Sequence, residues 1–87
     1  MEEKYFLDIV INKEKLSDGT DVYVAHCPSL GIASRGMNTE EAIENIKEAV
    51  ELFLEEEPDK YEELKKVAPI FSVVEVKRNA KTASIIR

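Results

Sequence analysis

LSDGTDVYVAHCPSLGIASRGMNTEEA, residues 16–42, holds a turn, two strands and the entry to a helix, and its reading decides the fold. Asp18-Gly19 supplies the positive φ values that a tight hairpin needs. Taken as a two-residue loop, it sets Ser17 opposite Thr20 and Ile11 opposite His26. Val22, Val24 and His26 then share the core face, while Tyr23, Ala25 and Cys27 take the other. Pro28 has no N–H to give a ladder, so the strand that opens at Asp21 ends beside it. Leu30 to Met37 reads as a short further strand, with Gly31 and Gly36 easing the backbone at its ends. Asn38 is a good N-cap, and Glu41 three residues later completes a capping box.

Upstream, Tyr5-Phe6-Leu7-Asp8-Ile9-Val10-Ile11 is β-branched and aromatic, hence a strand. Its odd positions are all apolar and face the core. Downstream, Ile43, Ile46, Val50, Phe53 and Leu54 recur at steps of three and four, with Ala42 and Ala49 beside them. That stripe makes an amphipathic helix to about Glu57, each large side chain contributing about 1.5–3 kcal/mol if buried. Pro58 stops it, and Asp59 to Val67 forms a short helical turn before Pro69. Ile70-Phe71-Ser72-Val73-Val74-Glu75-Val76 reads as a fourth strand.

The expected fold is therefore α+β, in the order β-β-β-α-β. A meander of three strands is followed by a helical crossover that sets strand four parallel to strand one. The result is a four-stranded mixed sheet of order 3-2-1-4, with one main helix on one face. Residues 1–76 form the domain and 77–87 a short basic tail. With one helix, the other sheet face is bare, and Phe6, Val10 and Tyr23 are expected there as an interface for a second copy or a foreign partner. A homo-oligomer, dimer or larger, follows.

Eighty-seven residues with a net charge of −6 make one domain and argue against general nucleic-acid binding. The charge is unevenly spread. Residues 38–63 carry eleven acids against Lys47 and Lys60, a net −9, whereas 77–87 carry Lys77, Arg78, Lys81 and Arg87 and no acid. A single Cys, no apolar run of about 20 residues and no signal-peptide start lead to the expectation of a reducing, cytoplasmic setting with no membrane partner.

Residues that could carry chemistry do not converge. His26 and Cys27 are consecutive on a strand and point to opposite faces, so they make neither a nucleophile–base pair nor a shared metal site. Asp8 lies on the strand face away from the helix acids, which leaves no carboxylate cluster for magnesium. No catalytic, cofactor-binding or metal-ligating residue is expected, and the chain does not read as an enzyme.

Residues 21–56 resemble the small domain of HicB-type antitoxins and their stand-alone relatives. In that family a Tyr-containing strand runs into Cys/Val-Pro-x-Leu-Gly, then a small residue before Gly, then Thr-x-Glu-Glu-Ala, an Asn and Glu-Ala within an apolar helix. Here those positions are Tyr23, Cys27-Pro28-Ser29-Leu30-Gly31, Ser34, Gly36, Glu40-Glu41-Ala42, Asn45 and Glu48-Ala49, with Asn38 in place of the usual Thr cap. The resemblance implies a truncated ribonuclease H-like fold without the nuclease carboxylates. It also implies an antitoxin that binds and neutralises a basic, messenger-RNA-cleaving toxin of the HicA type. The alternative is a stand-alone self-associating or adaptor domain with no toxin. Many family members carry a C-terminal operator-binding domain, and the eleven residues after strand four are too few for one.

Overall fold

The computed structural model describes residues 3–78. Three strands, β1 (Val10–Lys15), β2 (Asp21–Cys27) and β3 (Ile32–Gly36), precede one long helix, α1 (Thr39–Glu56), and a 3-10 helix over Pro58–Glu63. The sheet is antiparallel throughout, in the order β1-β2-β3. The architecture is α+β, as the sequence indicates, but with three strands rather than four.

The first hairpin explains where β1 lies. Leu16 N–H donates to Thr20 C=O at 2.8 Å and Gly19 N–H to Leu16 C=O at 2.9 Å, so Ser17, Asp18 and Gly19 form a three-residue loop. Gly19 sits at φ 91°, the left-handed residue that closes such a loop. The Asp18 carboxylate accepts from Thr20 N–H at 2.9 Å and steadies the turn. One residue more in the loop shifts the whole register by one. Ile11 therefore opposes Ala25, not His26, and Val10 opposes His26. The strand expected over Tyr5–Ile11 is displaced to Val10–Lys15. Its partner β2 runs only from the turn to Pro28, and residues 3–9 extend past the end of that ladder.

The register change also exchanges the faces of β2. Ala25 and Cys27 are fully buried against α1, and Tyr23 packs half-buried beside them. Val22 and Val24 are buried too, yet lie outside this cluster, on the face turned away from the helix.

Asn38 caps α1 as expected, its side-chain oxygen accepting from Glu41 N–H at 2.8 Å. The Glu41 carboxylate accepts in return from Met37 N–H at 2.9 Å, one residue before the cap. Ala42, Ile46, Val50 and Leu54, spaced by four, form the buried ridge of the helix. The ridge meets Ala25 and Cys27 closely because the residues at its N-terminal end are small. A Cβ on Gly36 would stand 2.4 Å from Ala42 N and 2.8 Å from Glu41 C, so that position excludes any side chain. Asn45 ties the same junction by donating from Nδ2 to the Arg35 carbonyl at 2.9 Å.

After α1 the chain turns through the 3-10 helix, buries Leu64 in the core and brings Lys65 alongside Phe6. Phe6 N–H donates to Lys65 C=O at 2.7 Å, and Lys65 N–H donates to Phe6 C=O at 3.3 Å. The expected fourth strand is not seen: among the described residues Ile70–Val76 has no strand partner, and the sheet is β1-β2-β3 rather than 3-2-1-4. The physical reason is this bridge. It is antiparallel and takes both backbone groups of Phe6, so the chain leaves toward the start of the 3–9 segment instead of returning parallel to β1. Of the basic tail, Lys77 and Arg78 are described, and residues 79–87, with Lys81 and Arg87, lie outside the described residues.

Candidate binding surfaces

His26 and Cys27 alternate across the sheet as expected, but on exchanged sides. Cys27 is fully buried beneath α1, with its Sγ 3.6 Å from Ser29 Oγ. His26 is half-buried on the opposite face, between Val10 and Ala33 in register. Asp8 faces a cation: Lys65 Nζ lies 3.1 and 3.3 Å from its two carboxylate oxygens. A contact across 57 residues has no local signal in the sequence. Among the described residues, no group of three or more His, Cys, Asp or Glu is gathered to hold a metal ion, and no helix is long and apolar enough to cross a membrane.

Phe6, Val10 and Tyr23 do not form one patch. Tyr23 opposes Lys13 and lies on the helix side of the sheet, while Val10 opposes His26 on the other side. Val10 is 50% exposed there. Phe6 stands outside the three-stranded ladder, on its bridge to Lys65. The one-residue register shift puts Tyr23 on the opposite face from Val10.

Two other surfaces stand out. The first is the outer side of α1, where Glu40, Glu44, Glu48, Glu51, Glu55 and Glu56 are all exposed. Among the described residues the ion pairs are Lys13 and Lys15 with Asp21, Lys60 with Glu63 and Lys65 with Asp8, so none neutralises a helix carboxylate. The Glu44, Glu48, Glu51 and Glu55 spacing puts four of these charges along one ridge.

The second is a cleft of about 590 Å³ between residues 3–9 and α1. Tyr5, Leu7 and Ile9 form one wall, and Ile43, Ile46, Val50 and Leu54 the other. Tyr5, Leu7 and Ile9 face the core as the sequence pattern predicts, and all three pack half-buried against it. Ile43, expected in the apolar stripe of the helix, is 47% exposed at the cleft. Glu3, Lys47 and Glu51 stand at the rim. Tyr5 stacks at a tilt on Tyr61, ring centroids 4.9 Å apart, and donates its hydroxyl to Glu3. That hydrogen bond raises the phenol's pKa above its ordinary value.

No protein-family model matches the chain, and neither a curated protein nor a solved structure is significantly similar to it.

Proposed function

We propose that the chain is a protein-binding module of the HicB-like antitoxin kind, which neutralises a basic, HicA-type messenger-RNA-cleaving toxin in the cytoplasm. The observation that carries this reading is the unneutralised acidic ridge of α1. Four carboxylates along one helix face, with no ion pair to quench them among the described residues, make a field that steers and holds a basic partner. The residue pattern from Tyr23 to Ala49 supports the same reading. The module acts by covering its partner's surface and needs no catalytic group of its own.

The test is affinity purification from the native host, with the captured protein identified by mass spectrometry. A small basic ribonuclease is expected, and its cleavage of messenger RNA should stop at one equivalent of the chain. The double variant Glu48→Lys, Glu51→Lys should weaken the complex at least tenfold at physiological salt. Cleavage that continues at saturating chain, or a complex indifferent to the charge reversal, overturns the reading. One observation favours the alternative of a self-associating domain without a toxin: the apolar residues of Ile70–Val76 are 67–98% exposed in the single chain.

A further inference from the structure

We infer that Ile70–Val76 of one copy docks in the cleft between residues 3–9 and α1 of a second copy, and that the exchange is reciprocal. The segment is β-branched and aromatic, and Ile70, Phe71, Val73, Val74 and Val76 are each at least 67% exposed. The cleft is lined mainly by Leu7, Ile9, Ile43, Ile46, Val50 and Leu54, and it is open. The segment is exposed in the single chain, while Ile43, Leu7 and Ile9 open the cleft over a floor of buried Ile46, Val50 and Leu54, and one molecule carries both surfaces.

The segment is long enough to cover the helical wall of the cleft. Seven extended residues span about 23 Å, and α1 from Ile43 to Leu54 rises about 16 Å. Alternation puts Ile70, Ser72, Val74 and Val76 on one side of the segment and Phe71, Val73 and Glu75 on the other. With the Val74 side inward, Glu75 points away from the acidic helix. Lys77 and Arg78 follow directly and reach a rim that carries Glu3 and Glu51.

The tether explains why the occupant is a second copy. The antiparallel bridge of Lys65 to Phe6 sends the chain past the start of its own 3–9 segment. Only Lys66, Val67, Ala68 and Pro69 remain before the apolar segment, and a residue preceding proline is held to extended backbone. In the single chain the segment's apolar side chains are exposed, and none of them lines the cleft. Two copies that exchange it make two identical contacts about a two-fold axis. The exchange does not depend on the antitoxin reading, because it needs only this chain.

Sedimentation equilibrium of the purified chain tests it together with isotope-filtered NMR on a mixture of ¹³C-labelled and unlabelled copies. A dimer is expected, with contacts between copies linking Val74 and Val76 methyls to those of Ile43, Val50 and Leu54. Val74→Asp should raise the dimer dissociation constant at least a hundredfold while circular dichroism stays unchanged, since Val74 is 77% exposed in the single chain. Ile43→Asp should act in the same direction from the cleft side. A monomeric chain overturns the inference and leaves the cleft to a foreign partner. So does a dimer whose methyl contacts to the cleft are all within one copy, or one that Val74→Asp leaves intact.

Discussion

Gly36 shows how one missing side chain positions a helix. The residue is buried at the end of β3, and the peptide of Glu41 and Ala42 occupies the space where a Cβ would project. Two of the three nearest obstacles are backbone atoms, which cannot swing aside as a side-chain tip would. Gly36→Ala therefore forces α1 away from the sheet, or twists β3, at the point where Asn45 also fastens the helix to Arg35. Overpacking of this kind costs about 1–3 kcal/mol. Urea unfolding should show the loss as a lower midpoint with an unchanged slope. Gly19→Ala meets no neighbour, and its cost comes only from the left-handed backbone. A Gly36→Ala protein as stable as the parent would mean that the helix entry is looser than this geometry.

At the scale of elements, the first hairpin depends on two aspartates that titrate below their usual range. Asp18 is held down chiefly by the hydrogen bond it accepts from Thr20 N–H, and Asp21 by the one it accepts from Lys15. A carboxyl with a lowered folded-state pKa stabilises the fold fully above its unfolded value, near 4, and loses that contribution as pH falls through the folded value. The double variant Asp18→Asn, Asp21→Asn should thus melt below the parent at pH 7. The gap should narrow steadily as the pH falls from about 4 toward 2. A gap that widens in acid contradicts the assignment. This hairpin is also where the sequence was legible in kind and wrong in register. Asp18-Gly19 announces a turn, but a two-residue and a three-residue loop use the same dipeptide, and the backbone of Asp18, which has no positive φ here, separates them. The extra loop residue shifted the register of β1, exchanged the faces of β2 and put Tyr23 on the opposite face from Val10. The helix was legible from cap to end, because Asn38, Glu41 and the fourfold spacing from Ala42 to Leu54 are local signals. The missing strand was not, since its absence follows from the Phe6–Lys65 bridge, a contact that joins distant parts of the chain.

For the whole molecule, the decisive quantity is where its charge lies. The negative charge is concentrated on the exposed side of α1 and on the 3-10 helix after it, while Lys77, Arg78, Lys81 and Arg87 fall together in the sequence. Duplex DNA carries a dense line of negative charge, and a protein gains affinity for it by neutralising several phosphates with clustered Lys and Arg. Here the cations of β1 already face Asp21, and Lys65 faces Asp8. The tail 77–87 offers four basic side chains, a weak and sequence-indifferent set of contacts, because phosphate contacts position a protein without specifying a sequence. The Debye length at physiological salt is about 8 Å, so the acidic ridge repels a duplex that approaches α1 closely and leaves a distant one unaffected. The expected outcome is that any DNA binding by this chain is non-specific and salt-sensitive. Fluorescence anisotropy with duplexes from the region upstream of its own gene should give equal affinities for native and scrambled sequences, weaker than micromolar at 150 mM salt. A preference of tenfold or more for the native sequence would mean that the chain reads bases with a surface that its charge distribution does not reveal.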